Sequence, residues 1–538
     1  MVVGGQGPAC RIVLGGESMK KIRRYKIGGK VVEREVNYIP LRYIFAILMT
    51  VAEVLVIIGA VAILFYALPY AYVGIYAVEI FCVLKIVASD DNPDYKVPWL
   101  LFVLILPVVG FMLYFLFYSR KLKRKFVRRL KVLYAHRYQR EDGDAFAALQ
   151  AEAPEIALDA RMLCRIGRTH LYQGTKQQYF PLGEDMHRQM LLDLQNAKKF
   201  IFLEYFIIEE GTFWHSILDI LKEKAQGGVD VRVIYDDIGC MTTLPGNYAG
   251  VLRATGIAAV PFSRLRGNAD NEFNNRSHRK ILVIDGAIGY TGGVNLADEY
   301  INKKKRFGHW KDSGLRLEGE AVHELTQLFL TDYSINAKDI LPPCEDHFPV
   351  CRQDAVGYVI PFGDGPRPLY DRRVSKSTIQ NMLARAVQRA WITTPYLIID
   401  NDLCTTLEST AMRGVDVRII LPHLPDKKIV FAMTRSFYPR LMAAGVKLYE
   451  YAPGFMHAKS YLIDNDLAMI GSVNLDYRSL VHHFENGVWL YRAACIQDLA
   501  KDLERTLEQC IPVDEALIKV TPLQRIFRAF IRIFAPLM

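Results

Sequence analysis

Residues 278–285 read HRKILVID, and residues 292–295 read GGVN. At 457–464 the chain reads HAKSYLID, and at 471–474 GSVN. The shared pattern is His-x-Lys-x4-Asp with a Gly-x-Val-Asn trailer, and the two copies start 179 residues apart. Side chains at i and i+2 of a strand project from the same face, so His278 stands beside Lys280 and His457 beside Lys459. The apolar runs ILVI and SYLI carry each strand into a core. Asp285 and Asp464 end the strands before turn residues, and they belong to the catalytic set or hold the turn. The returning strands deliver a small pair and an asparagine. Small residues let backbone N–H groups approach an anion and asparagine adds a donor, which assigns Gly293, Asn295, Ser472 and Asn474 to a phosphate. A nucleophilic imidazole beside a fixed cation, supplied twice, suits a phosphodiester held between two half-sites.

The surrounding chain repeats as well. KFIFLEYFII (199–208) parallels RAWITTPYLI (389–398), VDVRVIYDDIG (229–239) parallels VDVRIILPHLP (415–425), and TGIAAVPF (255–262) parallels AGVKLYEY (444–451). Each block keeps its order ahead of a His-Lys-Asp motif, and strands alternate with amphipathic helices, the pattern of an α/β fold. The expected organisation is a duplicated domain, 160–350 and 351–513, with one site between the halves. Glu204, Tyr205 and Tyr396 fall at matching strand ends, lining the pocket or the edge of the core.

Charge is distributed unevenly. The net charge is +10, but residues 1–140 carry +13 and residues 141–538 carry −3. A nucleic-acid-binding surface needs Lys and Arg across the catalytic part, so nucleic acid is excluded as the partner. Residues 43–66 and 98–118 are apolar and long enough to cross a bilayer as helices, with 70–87 re-entrant or a third span. The tail 1–42 and the linker 119–159 are both basic, and positive-inside bias places both on the cytoplasmic side of a multi-pass protein. The linker's run SRKLKRKFVRRLKVLYAHRYQR, with ten basic residues and no acid, suits anionic headgroups. The tail 514–538 alternates Ile526, Phe527, Phe530, Ile531 and Phe534 with Arg525, Arg528 and Arg532, as an interfacial helix or a domain cap does. The nine cysteines form no C-x-x-C pair, which fits reduced thiols, and no acidic cluster reads as a divalent-ion site. No metal or cofactor is expected.

On both motifs, on the NPDYKVPWLLFVLILPVVGFMLYFLFY segment, on the EYFII and TPYLI strands, and on TGGVNLADEY and GSVNLDYRS, the chain resembles the phospholipase D superfamily. Within it the resemblance is to bacterial cardiolipin synthases with two HKD motifs, and it covers nearly the whole chain. Ser277 stands where that pattern carries Asn. The resemblance implies N-terminal transmembrane helices in the bacterial cell membrane, followed by duplicated α/β domains of mixed sheets flanked by helices. It implies a ping-pong phosphatidyl transfer between phosphatidylglycerols, with glycerol released and no metal. His278 is the nucleophile by this likeness and His457 the acid and base, while Lys280, Lys459, Asn295 and Asn474 stabilise the phosphate oxygens. An imidazole in this role needs an orienting carboxylate. Asp312 and Glu485, 34 and 28 residues after the histidines of their own halves, are the candidates. Hydrolysis, with water as acceptor, uses the same intermediate.

Overall fold

The computed structural model describes residues 71–115, 124–135, 143–264, 275–367 and 369–535, with 12–15, 18–27, 30–38 and scattered positions between 48 and 63 before them. Two mixed sheets dominate. The first has seven strands in the order Lys176–Phe180, Gly314–Glu318, Ile288–Gly292, Lys280–Ile284, Phe200–Tyr205, Asp230–Asp236 and Ala258–Phe262. The second has eight: Tyr358–Asp364, Glu485–Tyr491, Leu467–Gly471, Ser460–Ile463, Arg389–Thr393, Asp416–Pro422, Lys447–Tyr451 and Cys510–Pro512. Read in this order, the first seven positions of each sheet match, so the blocks that repeat in sequence repeat in space. In both sheets the motif strand pairs antiparallel with the strand carrying EYFII or RAWIT, which in turn pairs parallel with its other neighbour. The strands Phe200–Tyr205 and Lys280–Ile284 are buried at every position, which explains their unbroken apolar runs.

The two halves are not separate globules. One apolar core includes Phe202, Ile281 and Val283 of the first sheet and Ile392, Leu462 and Ile470 of the second. The helix Val322–Asn336 belongs to this core and is buried along nearly its whole length, with Phe329 stacked on Phe202 at 4.6 Å between centroids. Short strands His309–Lys311 and Gly454–Met456, one from each half, pair in parallel.

The N-terminal segment corrects the sequence expectation of transmembrane helices. Among the described residues no helix is long and apolar enough to cross a membrane. The described part of the run 98–118, which ends at 115, is divided between Pro93–Ile105 and Pro107–Leu113, and the chain leaves helical geometry at Leu106 (φ −125°, ψ 70°). Proline has no N–H to donate and its ring disfavours a helical residue before it, so Pro107 starts a new helix instead of extending the old one. Residues 70–87 form the helix Ala71–Val87, whose 17 residues fall short of the roughly 20 that a bilayer requires. The expected span 43–66 lies largely outside the described residues. The three helices pack around Cys82, Ile86, Tyr95, Trp99, Val103 and Tyr114. They also dock on the second half, where Asn92 donates to Asp400 at 2.9 Å and the Asn401 N–H donates to Asp94 at 2.6 Å. The basic tail holds a three-stranded antiparallel sheet, Ile12–Gly15, Ser18–Ile27 and Lys30–Tyr38.

The C-terminal run folds as the helix Pro522–Ile533, begun by a capping box between Thr521 and Gln524 with Pro522 in the first turn. One face of this helix packs on the second half and the other is exposed. Ile531 is buried and Arg532 lies over the Phe437 ring, while Leu523, Ile526, Phe527 and Phe530 are exposed.

Candidate active site

Each motif places its lysine at the head of a buried strand or one residue before it, with its histidine two residues earlier, against the other half. The His278 N–H donates to the Phe484 carbonyl at 2.8 Å, and the Phe484 N–H donates to the Arg276 carbonyl at 2.9 Å. By the same rule the His457 N–H donates to the Lys311 carbonyl at 2.7 Å. The residues after those two acceptors are Glu485 and Asp312, so the backbone pairing delivers a carboxylate to each imidazole. His278 Nδ1 lies 2.9 and 3.0 Å from the Glu485 oxygens, and His457 Nδ1 lies 2.6 Å from Asp312 Oδ2. Both orienting acids named from the sequence are thus at imidazoles, but exchanged: each serves the histidine of the opposite half.

An ionised carboxylate only accepts, so Nδ1 carries the proton in each dyad and Nε2 keeps its lone pair. Burial favours the neutral ring. It pushes His278 down to about 3, Glu485 opposing and Lys280 adding to the shift. It pushes His457 down to about 4, with Lys459 assisting and Asp312 opposing. Burial alone would raise Glu485, but the His278 imidazole overcomes it and holds the carboxyl well below its usual range. Both lysines are fully buried. Lys280 Nζ donates to the His278 carbonyl at 2.6 Å; Lys459 Nζ donates to the His457 carbonyl and lies 2.8 Å from that ring's Nδ1. Burial drives Lys280 well below the lysine range and Lys459 down to about 8, against the pull of Asp312 and Glu485. An anion beside these buried amines would favour their protonated forms.

The small residues act on the carboxylates. A Cβ on Gly293 would collide with Asp312, so glycine there is what admits the acid, and the Gly293 N–H is used by the Ser313 carbonyl at 3.0 Å. At the equivalent place Ser472 Oγ donates to Glu485. Asn295 accepts from the Ile207 N–H at 3.1 Å and donates to Tyr300 Oη at 2.7 Å, whereas Asn474 donates to Asp476 at 3.1 Å and leaves its own buried Oδ1 without a partner. Asp285 and Asp464 are not at the imidazoles. They lie at the far end of the strand, roughly 16 Å from the lysine at about 3.3 Å per residue. There Asp285 accepts from the N–H groups of Lys198, Lys199 and Phe200 at 2.8, 2.7 and 2.9 Å. Asp464 accepts from Gln388 and Arg389 at 2.7 and 3.0 Å. Of the three pocket candidates, Glu204 accepts from Ser277 Oγ at 2.6 Å, and burial with Asp332 nearby raises its carboxyl well above the usual range. Tyr205 is buried beside Lys280 in the strand register, and Tyr396 donates to Asp426 at 2.6 Å.

Several contributors escaped the sequence analysis. Arg276 forks onto buried Asp236, and Arg279 bonds Asp332 at 2.6 Å and the Glu485 carbonyl at 3.0 Å, which locks the segment that presents His278. The His278 ring packs against Phe206 and His483 at 5.2 and 5.7 Å. The His457 ring packs against Trp310 and Tyr300, both at 5.3 Å. Trp310 and His483 each stand two residues before an orienting acid, so strand alternation was the signal that could have found them. His278, His483 and Glu485 also bring one metal-ligating atom each within 4.8 Å of one another. Two rings with free Nε2 lone pairs, buried amines and exchanged carboxylates can pass a phosphoryl group through a histidine.

Comparison with known proteins identifies the family. Residues 190–331 and 379–507 match the family described as cardiolipin synthase, phospholipase D-like domain, and residues 78–117 match a phospholipase D-nuclease N-terminal family. A cardiolipin synthase of Geobacillus sp. (strain WCH70) is 34% identical over 466 residues, spanning 85% of this chain and 92% of that protein. An uncharacterized protein of Streptococcus mutans is 39% identical over 468 residues, spanning 85% and 99%. Among solved structures, the phosphatidylserine synthase of Haemophilus influenzae Rd KW20 shares the fold at 15% identity, with a TM-score of 0.53 over 70% of this chain and 98% of that one.

Proposed function

The chain belongs to the phospholipase D-like cardiolipin synthase family, and from that membership we propose that it joins two phosphatidylglycerols into cardiolipin and releases glycerol. It is a phosphatidyltransferase of the phospholipase D superfamily. The observation that carries the finer reading is the pair of imidazoles, each held by the other half's carboxylate with Nε2 free. His278 Nε2 attacks the phosphorus of the first lipid. The N–P bond forms as the P–O bond to glycerol breaks, and His457 gives its proton to the departing oxygen. Negative charge entering the site favours the protonated forms of His457, Lys280 and Lys459 that this step uses. A hydroxyl of the second lipid then loses its proton to His457 and attacks phosphorus, freeing His278. Lys280 and Lys459 neutralise charge on the phosphate oxygens throughout. No step calls on a metal or cofactor.

The substrate is a membrane lipid, so we place the site of action at the cytoplasmic face of the bacterial cell membrane. Support for this comes from the C-terminal helix, whose exposed Leu523, Ile526, Phe527 and Phe530 lie among arginines, as on interfacial helices. The test is product analysis. Purified protein given phosphatidylglycerol vesicles is expected to form cardiolipin and glycerol in equal amounts, and His278→Ala and His457→Ala variants to form neither. Phosphatidic acid as the main product would overturn the synthase reading in favour of hydrolysis.

A further inference from the structure

Among the differences between the surroundings of the two imidazoles, one places a further imidazole beside His278. Two residues before the orienting acid, the first half has Trp310 against His457 and the second has His483 against His278. Tryptophan there completes an apolar wall. His483 is only 9% exposed, and neither of its ring nitrogens has a hydrogen-bond partner. Its Nδ1 lies 3.8 Å from Glu485 Oε1, beyond hydrogen-bond reach, while that same oxygen lies 2.9 Å from His278 Nδ1. A buried imidazole left unpaired costs stability unless something occupies it.

Two imidazole nitrogens and a carboxylate are the donor set of a three-ligand zinc site with an open fourth position. Around tetrahedral zinc, ligand atoms at about 2.0–2.1 Å from the ion stand roughly 3.3 Å apart. The three atoms here already lie within 4.8 Å of one another, and two of their separations are 2.9 and 3.8 Å. Closing the site takes an inward movement of His483, whose Nδ1 stands 3.8 Å from Glu485 Oε1. We propose that His278, His483 and Glu485 form an inhibitory binding site for a zinc-like divalent cation.

The inhibition follows from the tautomer, and this part rests on the catalytic reading of His278. In the metal-free dyad Nδ1 holds the proton and Nε2 holds the lone pair. When the cation takes the Nδ1 lone pair, the proton moves to Nε2 and the ring stays neutral. Nε2 then has no lone pair with which to attack phosphorus. The hard, oxygen-preferring Mg²⁺ does not suit this nitrogen-rich set. Trp310 offers no ligand, so the second imidazole has no such site and the stoichiometry is one ion per chain.

The test uses the purified full-length protein. Metal analysis after dialysis against micromolar zinc is expected to find one ion per wild-type chain above the count in His483→Phe, which keeps the aromatic packing, and in His483→Asn. Both variants should lose zinc affinity by at least the ~10–100-fold that follows loss of even an outer-sphere partner. Wild-type turnover should fall with zinc, ignore magnesium and return with a chelator. Each variant, measured against its own zinc-free rate, should ignore zinc. Equal zinc counts in variants whose melting curves match wild type would overturn the proposal, as would zinc inhibition that survives His483→Asn. Because the ion count needs no substrate, it stands even if the product assay shows hydrolysis instead of transfer.

Discussion

At the scale of single residues, the site is governed by what burial does to charge. Lys459 is fully buried and its amine is brought down to about 8, so it is a cation below that pH and neutral above it. The sign of the effect on catalysis follows. In the free enzyme kcat/KM should fall more steeply as pH rises through about 8, where the phosphate loses a countercharge, beyond the decline already set by the acid His457. The arginine of Lys459→Arg stays charged; if that variant turns over, its alkaline limb should move up. A wild-type profile that does not steepen up to well above pH 9 would contradict this role. Gly293 makes a second point. Alanine there pushes into Asp312, the acid that orients His457, so Gly293→Ala should lose on the order of 10²-fold or more in kcat while its melting temperature changes little by comparison. The sequence marked Gly293 as small for the sake of a phosphate. The smallness serves a carboxylate 19 positions downstream, a partner that no local pattern announces.

At the scale of elements, strand identity was legible and the purpose of strand ends was not. Unbroken apolar runs such as ILVI and FIFL specify strands covered on both faces, and the sheets contain them as expected. Asp285 completes the motif, and the sequence left open whether it is catalytic or holds the turn. Its φ of 52° is a turn geometry that aspartate tolerates, and its carboxylate gathers three N–H groups where the neighbouring strand begins. Removing it loses three hydrogen bonds, two of which water can replace, at a cost of about 1–2 kcal/mol. Asp285→Ala should therefore melt several degrees lower while keeping kcat within about threefold, and Asp285→Asn should be milder because asparagine keeps both the turn and one acceptor. A collapse of kcat without loss of stability would return Asp285 to the catalytic set. The N-terminal run misled for a different reason. Hydropathy over 98–118 counts apolar residues, but Pro107 decides that they form two short helices, and hydropathy does not weigh where a proline stands.

At the scale of the whole molecule, the duplication read from sequence is the fact that matters most, and its consequence was only half legible. Matching blocks announced two sheets of matching order; they could not announce that each half would lend its carboxylate to the other. That exchange arises where the halves meet, from the parallel pairing of Trp310 with Phe455 and of Ser277 with Phe484, contacts about 145 and 207 residues apart in the chain. Further bonds cross the same seam: Asn486 donates to Thr291 at 2.7 Å, and Ser313 and Ser460 share a hydrogen bond at 3.1 Å. If both dyads work on one phosphorus, they fail as a unit and not as two sites. Asp312→Asn and Glu485→Gln, which keep shape but remove the charge that fixes the tautomer, should each lower kcat on the order of 10²-fold or more. The double variant should then fall no more than about tenfold below the weaker single, far short of the product of the two losses. Two independent sites would behave differently, each single variant keeping about half of the activity and only the double losing all of it. Measuring kcat for the three variants on phosphatidylglycerol distinguishes the two arrangements, and half-activity in either single variant would refute a shared site.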